Sequence, residues 1–112
     1  MHPSISIVIP VFNEKENIKP VIYFIEEILS VPYEVLVIYD FEQDNTLPVV
    51  KELIKKNKKI KLILNKKKGL INAIKLGFKQ SKGLTVVVMS PDSADNPETI
   101  SNMYEKIKSI EE

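Results

Sequence analysis

Four times along the chain, a short aliphatic run empties into a polar turn and then into a stretch with helical periodicity. No other feature limits the fold as much. The runs are residues 5–9 (ISIVI), 34–39 (EVLVIY), 60–64 (IKLIL) and 85–89 (TVVVM), each too short for a helix. The first two are apolar on both faces and read as strands buried between two layers. The third alternates at its start and reads as nearer an edge. Such β-α alternation implies a parallel sheet covered on both faces and joined by right-handed crossovers. The expected fold is therefore α/β, a Rossmann-like open parallel sheet forming one domain over residues 1–112.

The first strand ends near Pro10, which has no N–H for a ladder. Asn13 and Glu14 follow; they can meet a ligand on the rim or simply cap and solubilise the turn. Ile18, Val21, Ile22, Ile25, Ile28 and Leu29 then recur at three and four, with Asn17 as N-cap and Pro20 in the first turn. Thr46 reads as the cap of a second helix with Val49, Val50, Leu53 and Ile54 on its apolar face. A third helix carries Leu70, Ile71, Ala73, Ile74, Phe78 and Ser81, with Gly83 as its stop. Gly69, Ala73 and Gly77 make one row at i, i+4 and i+8. Glycine inside a helix costs about 1 kcal/mol against alanine, so the row predicts close approach of helix and sheet. Asn96 caps and Pro97 opens a last helix faced by Ile100, Met103, Tyr104, Ile107 and Ile110.

Composition removes several chemistries. With no cysteine, disulfides, zinc–thiolate sites and thiol nucleophiles are excluded. His2 is the single histidine, so no Ser-His-Asp set exists beyond it. The apolar runs are far shorter than a membrane span and the first residues are no signal peptide, so a cytoplasmic location is expected. The net charge is +1, but every basic residue is lysine, and twelve lie from Lys51 to Lys82 against one acid, Glu52. That face suits phosphate or a membrane surface; it suits equally the solvated side of two helices and their loops. Without arginine or clustered aromatics, no nucleic-acid partner is expected.

All four polar turns follow strand C-termini and share one rim. They bring together Asn13, Glu14, Asp40, Glu42, Asp44, Asn65, Lys66, Lys67, Lys68, Ser90, Asp92 and Asp95. No G-x-G-x-x-G or P-loop is present. What remains is acids for a hard metal beside lysines for phosphate. Mg²⁺ and Mn²⁺ bind in that way, through one or two carboxylates plus substrate phosphates.

The motifs add a resemblance. PVFNEKENI resembles the opening motif of family-2 glycosyltransferases, P-x-Y/F-N-E-x-x-N-I/L, in the branch of polyprenyl-phosphate or dolichyl-phosphate mannose and glucose synthases. VIYDFEQDNT is similar to the next motif, V-D-D-G-S-x-D-G-T, with Asp40, Asp44 and Thr46 in place. GLINAIKLGFKQSKG resembles the G-x-x-x-A-x-x-x-G helix, and TVVVMSPDSADNP stands where the family has a strand, Asp-x-Asp and a later Pro. Four motifs in order cover nearly the whole chain.

The resemblance implies the nucleotide-binding half of a GT-A fold, with strand order 3-2-1-4. It implies that Pro10, Phe12 and Glu14 line a nucleotide pocket and that Asp40 meets the base. Asn65, Lys68 and Gly69 would lie beside it. Asp92, with Asp95 as a second acid, would hold Mg²⁺ or Mn²⁺ against a nucleotide-diphosphate sugar. The implied acceptor is a polyprenyl phosphate, reached through a second half that follows this one in the family. On that basis the chain reads as truncated, inactive alone, with no base to name, and working at the inner membrane surface. Self-association through an exposed sheet edge is a further expectation.

Four positions depart from the motifs. Tyr39 replaces an acid, Phe41 and Asn45 replace glycines, and Ser90 replaces the first Asp of Asp-x-Asp. They keep a second reading open, a degenerate non-catalytic nucleotide-binding or protein-interaction module on the same fold. Asp92 itself can hold metal or hydrogen-bond its own turn.

Overall fold

The computed structural model describes residues 3–93 and 97–111. Its strands are β1 (Ile5–Pro10), β2 (Tyr33–Tyr39), β3 (Ile60–Leu64) and β4 (Thr85–Val88). Its helices are α1 (Ile18–Ile28), α2 (Thr46–Lys56), α3 (Leu70–Gln80) and α4 (Pro97–Glu111). The sheet runs β3-β2-β1-β4 and every pairing is parallel, as the alternation and the motifs imply. Ile7 pairs with Val35 on one side and Val87 on the other, so β1 is central. Asn96, expected to cap α4, lies outside the described residues.

Two faces of the sheet bury two sets of side chains. Ile5, Ile7 and Ile9 of β1, with Val35 and Val37 of β2, pack against Ile18, Val21, Ile22 and Ile25 of α1 and Val50 and Leu53 of α2. Val8, Leu36 and Ile38 point the other way, onto Ala73 of α3. The period-2 alternation of a strand explains the split. Both sets are apolar, which is why β1 and β2 carry continuous aliphatic runs.

The small-residue row of α3 meets the sheet at Ala73 and Gly77, as its spacing predicts, but the large apolar residues expected on the helix do not all face inward. Ala73 and Gly77 are its buried residues, while Leu70, Ile71 and Phe78 are more than half exposed. A β-carbon at Gly77 would overlap the Val8 side chain, 2.8 Å from Cγ2. Backbone contact at that distance leaves no room for a larger residue, so the small side chains choose the face. Gly69 of the same row plays another part. It is the N-cap residue at φ +90°, a conformation that favours glycine, with nothing near its missing side chain.

Local caps also differ. α3 stops at Ser81, and Gly83 serves instead as a contact, where a β-carbon would lie 2.6 Å from the Ser6 amide nitrogen. Asn17 is the N-cap residue of α1, as expected, but its side chain makes no cap bond; its amide donates to Glu14 Oε1 at 3.1 Å. Thr46 is the first residue of α2, and its hydroxyl accepts from the Glu14 amide at 2.8 Å rather than capping its own helix.

At the N-terminal ends of the strands sits a buried acid, Glu34, 3% exposed. Its Oε2 accepts from the Ser6 hydroxyl at 2.6 Å and from the Lys82 amide at 2.7 Å. Its Oε1 accepts from Lys61 Nζ at 3.0 Å. Burial works against the charged form, but these donors outweigh it and hold the carboxyl below its ordinary 4.5. A lowered folded-state pKa stabilises the fold above about pH 4.5, and that contribution is lost as pH falls through the lower folded value. Glu34→Gln therefore costs stability at neutral pH and narrows its gap to the parent in acid. Urea unfolding at pH 7 and pH 3 checks this; a gap independent of pH contradicts it.

Candidate functional site

The rim at the strand C-termini is built from three turns tied to one another. Asn13 follows β1 in a left-handed conformation, φ +52°, which asparagine tolerates better than most side chains. Its amide donates to Asp44 Oδ1 at 3.1 Å, and its own Oδ1 accepts from the Asn45 amide at 3.0 Å. Asn45 Oδ1 accepts from the Lys15 amide at 3.1 Å. Together with the Thr46–Glu14 bond, these contacts zip the β1–α1 turn onto the β2–α2 turn. Asp44 is the centre of the zip. It is 1% exposed, and its Oδ1 also accepts from the Thr46 amide at 2.8 Å. Its Oδ2 is buried without a partner among the described residues.

A second clip holds the β3–α3 turn to the end of β2. Asp40 Oδ1 accepts from Asn65 Nδ2, and Asp40 Oδ2 accepts from the Gly69 amide, each at 2.9 Å. Asn65 is 2% exposed; its side chain also donates to the Gly69 carbonyl at 3.1 Å. An acid beside the N-terminus of α3 is favoured by the helix dipole. Lys68, at φ +63°, is exposed and uses its carbonyl to accept from Asn72 Nδ2 at 2.9 Å.

Between the two clips opens a cleft of about 460 Å³ whose walls include Pro10, Phe12, Glu14, Asp40, Gly69 and Leu70. Five residues singled out in the sequence thus come together. Asn65 and Lys68 do not line it; Asn65 stands behind Asp40 and orients it. Phe12 is 64% exposed, and its ring lies 5.3 Å from that of Phe41, tilted by 57°. Each Asp40 oxygen accepts one hydrogen bond and retains a lone pair. The cleft therefore offers acceptors and an aromatic wall, which suits a ring bearing N–H groups and a sugar bearing hydroxyls.

Tyr39 precedes Asp40 where the motif has an acid. Burial, then the charge and hydrogen bond of Glu42, push its phenol up, so it stays neutral. Ser90 and Asp92 follow β4. The Ser90 hydroxyl donates to Asp92 Oδ1, and the Ser93 hydroxyl donates to the Ser90 carbonyl at 2.7 Å. Asp95 lies outside the described residues. Among those described, no three His, Cys, Asp or Glu side chains converge as metal ligands. One carboxylate already bonded to a serine is a poorer donor set than the carboxylate pair of Asp-x-Asp.

A roomier cleft, about 700 Å³, lies at the opposite end of the strands beside Glu34, Lys59, Lys61 and Lys82. There Lys61 already pairs with Glu34, and Lys59 Nζ sits 4.5 Å from the Tyr33 ring centroid. The strand C-terminal rim is the end where open α/β sheets bind ligands.

Sequence reasoning had Asp44 only as a rim acid and missed its place as the buried link between turns. A local signal existed, since an Asp two residues before Thr46 can accept from its amide. The bonds from Asp44 and Asn45 to residues 13–15 have no local signal.

A parallel sheet ordered 3-2-1-4, with an acid-lined cleft at its C-terminal rim, is the arrangement that the motifs imply for one half of a GT-A fold. Residues 6–112 match the model of "Glycosyl transferase family 2", and the chain belongs to that family. It is 35% identical over 105 residues to the dolichol-phosphate mannosyltransferase of Pyrococcus furiosus, covering 93% of this chain and 30% of that protein. It is 32% identical to the undecaprenyl-phosphate 4-deoxy-4-formamido-L-arabinose transferase of Proteus mirabilis, over 88% of this chain and 32% of that one. The chain thus spans about a third of the length of these curated relatives. Its fold matches the Pyrobaculum calidifontis mannosyltransferase PcManGT, solved with GDP-Man and Mn²⁺, at a TM-score of 0.71 and 21% identity over 82% of this chain and 28% of that one. It also matches S. aureus TarS in complex with UDP-GlcNAc, at 0.67 and 22% identity over 95% of this chain and 31% of that one. Among the described residues no helix is long and apolar enough to cross a membrane.

Proposed function

We propose that the rim cleft holds the base and ribose of a nucleotide-diphosphate sugar, and that the whole protein transfers the sugar to a polyprenyl phosphate. One observation carries the reading: Asp40 is fixed by Asn65 and Gly69 at the wall of a cleft that also contains Glu14 and Phe12. Asp40 accepts from a base N–H, Glu14 from a ribose hydroxyl, and Phe12 stacks on the base. Asn65 keeps Asp40 in place, and the Lys68–Gly69 turn borders the base.

In the transfer, an acceptor phosphate oxygen bonds to the anomeric carbon. The bond from that carbon to the diphosphate oxygen breaks, and the nucleoside diphosphate leaves with the electron pair. The relatives named for dolichol and undecaprenyl phosphates support the acceptor class, and a lipid acceptor would put the transfer at a membrane surface. A bound Mg²⁺ or Mn²⁺ would supply charge neutralisation at the diphosphate. Ser90 stands where the motif has its first acid, so Asp92, with Asp95, would hold the metal weakly and its contribution is modest.

Calorimetric titration with UDP and GDP tests the reading. Weak binding is expected to fall about tenfold or more in Asp40→Ala, because a base N–H loses its acceptor. Mn²⁺ is expected to tighten binding only slightly, and Asp92→Ala to remove that increment. Absence of binding at millimolar nucleotide would leave the non-catalytic module as the better account.

A further inference from the structure

We propose that the outer face of α3 is a docking surface for an anionic lipid bilayer. Ala73 and Gly77 are the residues this helix buries, so its opposite side looks outward. On that side stand Ile71 and Phe78, 66% and 53% exposed. Seven residues apart, they project roughly 10 Å from each other along the axis. Lys75 and Lys79 share the exposed side, Lys66, Lys67 and Lys68 precede the helix, and Lys82 follows it, all exposed. No Asp or Glu occurs between Glu52 and Asp92.

Beside the helix, an open groove of about 370 Å³ runs along β3. Ile63, Leu64 and Leu76 give it an apolar lining; Lys66, Lys67, Lys75 and Lys79 surround it. Its walls contain no carboxylate.

Single exposed apolar side chains need no explanation. Two large ones set in a field of six lysines without an acid are different. A helix lying in a membrane interface buries such side chains at the headgroup boundary while its lysines meet anionic lipid. Charge complementarity selects this occupant over a second copy, which would set lysines against lysines. The use of lysine alone suits a diffuse charged surface better than bidentate recognition of one carboxylate or phosphate, where arginine's planar fork is favoured. This inference does not rest on the nucleotide reading.

Co-sedimentation of the 112-residue chain with vesicles tests it, using phosphatidylcholine with and without phosphatidylglycerol. The chain is expected to pellet with the anionic vesicles at about 0.1 M salt, less as salt rises, and not with the neutral ones. Lys75→Gln combined with Lys79→Gln lowers partitioning about 25-fold, at about fivefold per lysine. Phe78→Ser lowers it about fivefold or more, with circular dichroism unchanged and melting lowered only slightly, because about half of that side chain is exposed. No pelleting with anionic vesicles overturns the proposal. So does equal partitioning of the parent and Phe78→Ser, which would reduce the surface to diffuse charge. Binding to polyglutamate without binding to vesicles would overturn it in favour of an acidic protein partner.

Discussion

A Gly77→Leu variant is expected to melt roughly 10–20 °C below the parent, a loss of about 3 kcal/mol or more. α3 meets β1 through Gly77 and Val8, and even a β-carbon overlaps the valine methyls. Val8 cannot retreat, because it is fully buried in the central strand. Gly77→Ala sets two effects against each other. Alanine gains about 1 kcal/mol of helix propensity, and its β-carbon strains the contact by more. A net loss is expected for alanine too, smaller than for leucine. Thermal denaturation followed by circular dichroism separates the cases. A leucine variant as stable as the parent would mean that α3 packs on the sheet by another face.

The second large effect is at Asp44. Removing its side chain in Asp44→Ala leaves the Asn13 and Thr46 amides without their acceptor and unties the two turns that carry Glu14 and Asp40. A loss of about 2–4 kcal/mol is expected, with weaker nucleotide binding. Asp44→Asn keeps Oδ1 as acceptor but buries an NH2 where Oδ2 has no partner among the described residues, so it is expected to cost about 1–2 kcal/mol, less than the alanine variant. Denaturant titration of both variants checks the pair. Equal losses would mean that Oδ2, not Oδ1, is the atom that matters.

Strand positions were legible because β1 and β2 are buried on both faces and show it in unbroken aliphatic runs; the order 3-2-1-4 was legible only through the resemblance of the motifs. The cleft was legible as far as the motifs marked it, at Pro10, Phe12, Glu14, Asp40 and Gly69. The close approach of α3 was legible in the spacing of Ala73 and Gly77, but the outward turn of its large apolar side chains was not. Leu70, Ile71, Ala73, Ile74 and Phe78 spread apolar character around the helix, and the contact at Gly77 decides among them. A periodicity count weights large side chains, whereas this interface selects small ones. Glu34 was hidden for another reason. It opens an aliphatic run like a solvated end residue, and its partners Ser6, Lys61 and Lys82 lie 28, 27 and 48 residues away. Thr46 looked like a cap because its type fits one; its hydroxyl serves a turn 32 residues distant.

Backbone amide shifts during titration with GDP and UDP test the central claim most directly. Binding in the rim cleft predicts shifts at Phe12, Glu14, Asp40, Gly69 and Leu70, saturating together and absent in Asp40→Ala. Shifts confined to the lysine-rich span from Lys51 to Lys68 outside the cleft, or none at millimolar nucleotide, would contradict it.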